Sequence, residues 1–228
     1  MLRIWRGLVT GYLRLIEPII AWCVRHRVSP NLITSVGTAS ACAVGVLFGF
    51  GWFSVGGWTL GILACFDVVD GAVARRSGTA TVFGSFYDAT LDRVADAFLF
   101  GGFVVFYALH DVPRQTVMVL VAVVALVATQ LTSYTRSRAE LIGVDMKGVG
   151  WMERPERITL LAAPQAFFGR SFDGWVVDAV VTLLAVTAVV TVAQRIRHVL
   201  RATDVAIFPT VQAPGPRPVT DHDEERRQ

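Results

Sequence analysis

Long apolar runs separated by short polar clusters organise this chain. The runs cover 33–53, 56–76, 83–108, 115–138, 155–170 and 174–194, and Leu, Val, Ala, Phe and Gly dominate them. A helix of roughly 20 apolar residues crosses a hydrocarbon layer of about 30 Å. The pattern therefore predicts an all-α membrane protein of six transmembrane helices, the fifth of them short. Residues 1–27 read differently. Arg3, Arg6, Thr10, Arg14 and Glu17 step by three or four and share one helical face, while Leu2, Trp5, Leu8, Tyr12, Leu13 and Ile16 cover the rest. This predicts an amphipathic helix lying in the membrane interface; a cytosolic core helix would share the periodicity, and the Arg and Trp content favours the interface. Ser29-Pro30-Asn31 then breaks the chain, with Ser29 or Asn31 as the cap of the first span. From about residue 202 the chain turns polar, through APGPRP and DHDEERRQ, which predicts a flexible tail. The expected organisation is an interfacial helix at 1–27, a membrane domain at 28–201 and a tail at 202–228. No internal repeat is visible, which argues against an inverted-repeat transporter.

Composition agrees with this division. Hydrophobic residues make up 54% of the chain and charged residues only 17%, outside the range of a soluble domain. Charge placement then orients it. With the N-terminus inside, Arg114 and Arg170 are the basic residues left on the opposite face, out of 21 Lys and Arg. That bias assigns the other face to the cytoplasm of a cell membrane. The basic residues lie at helix ends and not along a soluble face, so nucleic acid is not an expected partner. Cys23, Cys42 and Cys65 show no metal-ligand spacing and read as small core residues. The first span carries Gly37, Ala41, Gly45 and Gly49 at steps of four, a stripe suited to close helix packing within one subunit or between two.

The candidate chemistry sits where the second and third spans meet, in DVVDGAVARRSGTATVFGSFYDATLD. Asp67 and Asp70 are three apart, and Asp88 and Asp92 four apart, so each pair shares a helical face. A short connection makes the two helices antiparallel and lets the pairs converge. Four facing carboxylates cannot all stay ionised without a cation, and each costs several kcal/mol inside a membrane. Hard divalent metals such as Mg²⁺, Mn²⁺ or Ca²⁺ answer both problems. Gly71 and Gly84 leave room for a ligand beside the backbone, and Arg75 offers a fork suited to phosphate. Asp96 continues the stripe one turn deeper, where a supporting or packing role is expected. Plain ion pairing of these aspartates with Arg75, Arg76 and Arg93 is the structural alternative.

The order Asp67, two residues, Asp70-Gly71, two residues, Ala74-Arg75, eight residues, Gly84, three residues, Asp88, three residues, Asp92 resembles the full signature of the CDP-alcohol phosphotransferases. The resemblance extends from SPNLIT at 29–34 through the sixth span. It implies a six-helix integral membrane enzyme, usually a homodimer, that uses Mg²⁺ or Mn²⁺ to move a phosphatidyl-type group from a CDP-linked lipid to an alcohol, releasing CMP. It further implies that Asp67, Asp70, Asp88 and Asp92 hold two metal ions, with Asp92 also the general base. Gly71, Arg75 and Gly84 would cradle the CDP group, with Asn31, Leu32, Ile33, Thr34 and Thr81 at weaker positions near the nucleotide lipid.

Arginines at the ends of the later spans bear on the acceptor. SYTRSRAE at 133–140, MERPER at 152–157 and AQRIR at 193–197 bring Arg136, Arg138, Arg154, Arg157 and Arg195 to the aspartate side. Each alone is explained by the positive-inside bias; as a group beside a metal site they suggest a pocket for a second anion. These runs are similar to those in the phosphatidylinositol phosphate-forming branch of the family, where a lysine stands in place of Arg136. That similarity implies an acceptor phosphate held by Arg136, Arg154 and Arg195, with 1L-myo-inositol 1-phosphate attacking CDP-diacylglycerol. Glycerol 3-phosphate is the rival acceptor. A non-enzymatic cation-binding or transport protein would share the aspartates but give no use to Gly71, Arg75, Gly84 and the second arginine group.

Overall fold

A computed structural model describes residues 17–63, 66–79, 81–152 and 154–203, without the side chains of Phe66, Asp67, Val68 and Asp70. The expected interfacial helix up to residue 16, Cys65, and the expected tail from 204 onward lie outside the described residues. The secondary structure of those residues is helical, with no strand among them. In chain order they form α1 (17–25), α2 (Pro30–Gly49), α3 (Phe53–Leu63), α4 (Phe66–Ser77), α5 (Val82–Leu109), α6 (Gln115–Leu141), α7 (Arg154–Phe168), a single 3₁₀ turn at Phe172–Gly174, and α8 (Trp175–Thr203).

Among them α2, α6 and the stretch Phe172–Thr203 are long and apolar enough to cross a membrane. At 28 residues α5 has the length too, but it carries Asp88, Asp92, Arg93 and Asp96 between its start and its midpoint region. Within the second predicted span, 56–76, the described residues are helical on both sides of residues 64–65, as α3 and α4. Both stretches pack along α2, and the apolar α3 packs along α7 as well.

The helices associate through close backbone approach and a phenylalanine-rich core. α2 lies along α5, and α6 along α8. At the α2–α5 crossing a Cβ on Gly45 would stand 2.3 Å from the Phe98 carbonyl oxygen, and one on Gly102 only 2.1 Å from the Gly45 carbonyl oxygen. At Gly45 the small-residue stripe therefore serves packing within the subunit. Phe48, Phe53 and Phe103 fill the space beside this crossing, with the Phe53 and Phe103 rings stacked at 5.7 Å. A second, smaller core joins Ile20 and Cys23 of α1 to Ile33 of α2 and Val69 and Val73 of α4. It fixes α4 beside the start of α2, with Glu17 and Arg76 paired at its edge.

Polar contacts close each end of the bundle. At one end Arg114 Nη2 and Tyr107 OH both donate to Asp178 at 2.7 Å, and Arg114 and Arg170 border the same recess. The candidate residues lie at the other end of α5.

Candidate active site

Three helix starts and ends meet around a cavity of about 280 Å³. Pro30 at the first position of α2 suits a helix start, because its missing N–H needs no partner there. Ser29 takes the cap position without a side-chain hydrogen bond, while Asn31 sits inside the helix and turns to the cavity with Thr34. Thr81 caps α5, its Oγ1 accepting from the Gly84 N–H at 2.9 Å, and also borders the cavity. Gly71 and Arg75 of α4 complete the wall, with Gly84 and Asp88 of α5 opposite.

The two glycines are gaps in a literal sense. A Cβ on Gly84 would lie 3.1 Å from Thr81 Oγ1 and 3.5 Å from Asn31 Oδ1, and one on Gly71 would lie 3.2 Å from Arg75 Nη1. Leu32 and Ile33 do not join this wall. Leu32 is 57% exposed and Ile33 is buried in the small core against α4, because successive positions on a helix point in different directions.

The carboxylates run inward from the cavity along α5. Asp88 borders it, and Asp92, one turn deeper, borders a narrow crevice with Thr34, Thr38 and Arg154. Asp92 Oδ1 pairs with Arg154 Nη2 at 2.8 Å, both side chains about one-fifth exposed. Asp96, another turn in, is fully buried. Its oxygens face Arg93 Nη2 at 3.5 Å, Arg154 Nε at 3.7 Å and Arg157 Nη2 at 3.9 Å. Asp67 and Asp70 stand on α4, the helix that brings Gly71 and Arg75 to the cavity; their side chains are outside the described residues. The donor set fits a hard divalent cation. Its oxygens are carboxylates at helical spacing, beside glycines that leave the approach open.

The arginines divide. Arg154 and Arg157 reach the aspartates, and Arg93, Arg154 and Arg195 all lie within electrostatic reach of Arg157. Arg195 is buried, donating Nε to the Val149 carbonyl at 3.1 Å and Nη1 to the Thr132 carbonyl. Arg136 instead pairs with Glu140, one turn along the exposed face of α6, at 2.9 Å. Arg138 is likewise exposed. Arg93, which the ion-pairing alternative set against the aspartates, faces Asp96. Its guanidinium donates to Ser133 Oγ and its carbonyl accepts from Gln130 Nε2 at 2.9 Å, which ties α5 to α6. The Asp92–Arg154 contact had no sequence signal, since the partners lie on helices far apart in the chain.

Residues 27–194 match the CDP-alcohol phosphatidyltransferase family. The chain belongs to that family. As a CDP-alcohol phosphatidyltransferase it is an enzyme and an integral membrane protein. It is 36% identical over 197 residues to the phosphatidylinositol phosphate synthase of Mycobacteroides abscessus, covering 86% of this chain and 88% of the relative. Identity to the Streptomyces avermitilis protein of the same name is 34% over 196 residues, covering 83% and 80%. Solved structures agree. The Mycobacterium tuberculosis phosphatidylinositol phosphate synthase with CDP-DAG bound matches at a TM-score of 0.76 and 32% identity, over 86% of this chain and 99% of that one. The same protein in complex with manganese and citrate matches at 0.75 and 31%, over 84% and 92%.

Proposed function

We propose that this protein transfers a phosphatidyl group from CDP-diacylglycerol to a phosphorylated alcohol, 1L-myo-inositol 1-phosphate being the favoured acceptor, and releases CMP. One observation carries the reading, the 2.8 Å ion pair between Asp92 and Arg154. It joins the last carboxylate of the signature to a part-buried guanidinium, so the carboxylates running inward from the nucleotide-side cavity end beside a group of arginines that can hold an anion. The relatives named as phosphatidylinositol phosphate synthases, and the CDP-DAG bound in one of them, support the same reading.

In this proposal Asp67, Asp70, Asp88 and Asp92 are the ligands of two divalent ions, Mg²⁺ or Mn²⁺. When bound, the ions would draw diphosphate and acceptor oxygens together and offset their charge. Asn31, Thr34, Gly71, Arg75, Thr81 and Gly84 hold the CDP group, while Leu32 and Ile33 support the helical turn that carries Asn31 and Thr34. Asp92 takes the proton of the acceptor hydroxyl. The acceptor oxygen forms a bond to the β-phosphorus as the bond from that phosphorus to the bridging oxygen breaks, and CMP leaves with that oxygen. Arg154, Arg157 and Arg195 hold the acceptor phosphate. Arg136 and Arg138, on the exposed end of α6, add long-range attraction for the anion.

The proposed membrane arrangement counts α3 with α4 as one span, giving six, and places the site and both termini on the cytoplasmic side of the plasma membrane. Arg114 and Arg170 at the opposite end fit the positive-inside bias. An interfacial helix over 1–27, a six-helix domain over 28–201, a flexible tail over 202–228 and a homodimer complete the proposal. The test is CMP release by detergent-purified protein given CDP-diacylglycerol and Mg²⁺ or Mn²⁺. Inositol 1-phosphate should support turnover, glycerol 3-phosphate less, and unphosphorylated inositol least. Faster turnover with glycerol 3-phosphate would reassign the acceptor; no CMP with any alcohol would end the proposal.

A further inference from the structure

Asp96 is a fully buried carboxylate outside the family signature, and neither of its oxygens accepts a hydrogen bond among the described residues. Burying such a group costs several kcal/mol unless charge partners surround it. Here three guanidiniums do so from three directions: Arg93 from its own helix, and Arg154 and Arg157 from α7. All three stand off at 3.5–3.9 Å, close enough to hold charge and too far for hydrogen bonds.

Arg154 is the informative member. Its Nη2 reaches Asp92 at 2.8 Å while its Nε faces Asp96 at 3.7 Å, so one planar fork spans two carboxylates a helical turn apart on α5. A guanidinium held by Asp92 alone would be drawn fully onto that carboxylate. A second carboxylate behind it gives the fork a fixed seat. From there Nη2 can pass between Asp92 and an incoming phosphate without the side chain leaving its place. Arg93 and Arg157 offset the rest of the Asp96 charge.

We propose that Asp96 is a positioning residue for the acceptor side of the reaction: it seats Arg154 so that the guanidinium can exchange Asp92 for a phosphomonoester. This rests on the reading of Arg154 as a ligand of the acceptor phosphate. Groups that orient a ligand-binding side chain typically contribute 10–100-fold. Asp96→Asn, which keeps the shape and removes the charge, should therefore raise the KM for inositol 1-phosphate roughly tenfold or more. The KM for CDP-diacylglycerol should change less than about twofold, since the cavity at Gly71 and Gly84 is untouched.

A general loosening of the fold would move both constants together, so the split is the deciding readout. On an Arg154→Gln background, Asp96→Asn should add no further rise, because the two act through one contact. Should Asp96→Asn fail to fold with its guanidiniums uncompensated, Asp96→Asn/Arg93→Gln removes one positive charge with the negative one, at a residue outside the acceptor-binding set, and should show the same split when compared with Arg93→Gln alone. Equal rises in both KM values, or an unchanged acceptor KM in whichever of these variants folds, would overturn the inference. If Arg154→Gln raises the acceptor KM and the Asp96 variants do not, only the role of Asp96 falls. If Arg154→Gln leaves it unchanged, the acceptor-phosphate reading falls, and this inference with it.

Discussion

The two halves of the candidate site are built on opposite principles. The proposed nucleotide side is an open cavity walled by helix starts, a threonine cap and two glycines, and each feature is local to a few residues of chain. The proposed acceptor side is a knot of charge in which α5 and α7 meet at Asp92, Asp96, Arg154 and Arg157. A local wall can be read from spacing. A knot of charge is decided by which helices come to lie together. The difference also bears on tolerance to change. Exposed walls lose shape gradually, whereas removing one member of a buried charge cluster leaves its partners uncompensated.

The sharpest way to break the comparison is at Asp92, where the two sides touch. Asp92→Asn should lower kcat by about 10³-fold, as for loss of a general base, with CDP-diacylglycerol binding retained in a direct binding assay. Retained turnover would remove Asp92 from the chemistry. Next comes a contrast among arginines. Arg154→Gln should raise the acceptor KM roughly 30-fold or more, because it removes one partner of a largely buried, hydrogen-bonded charge pair. Arg136→Gln, which loses only an exposed pair with Glu140, should stay within about twofold. Similar effects for both would mean that exposure does not separate them.

On the nucleotide side, Gly84→Val fills the gap beside Thr81 and Asn31. It should raise the KM for CDP-diacylglycerol about tenfold, in line with overpacking costs, and leave the acceptor KM unchanged. The smallest effect belongs to the support of α4. The hydrogen bond from Arg76 holds the Glu17 carboxyl below its usual range. A carboxyl with a depressed folded-state pKa stabilises above its ordinary value, and that contribution is lost as pH falls through the depressed one. Melting of wild type and Glu17→Gln should therefore differ slightly at neutral pH and converge in strong acid. A difference that grows on acidification would reverse the assigned sign.

Much of this molecule was legible before its fold. Apolar run length separates long helices from connections, and α2 to α8 fall where the runs predict. The Asp88–Asp92 pair and the gaps at Gly71 and Gly84 follow from spacing alone, because a helix repeats every 3.6 residues whatever surrounds it. Leu32 and Ile33 show the limit of a motif read as a block. Adjacent residues match the family together, yet helical geometry sends one to the surface and the other into the small core.

The sequence by itself determined the all-α class, the cavity-lining residues of α4 and α5, and the family. All of these are periodic or local properties carried within one or two helices. Only the tertiary structure decided that Gly45 packs against Phe98 within the subunit, that Arg154 and Arg157 rather than Arg136 join the aspartates, and that Asp96 sits at their centre. Those outcomes depend on how α2, α5, α6 and α7 are placed against one another. A charge has the same identity at every position in a sequence, but its partner is set by burial and by a few ångströms of helix packing.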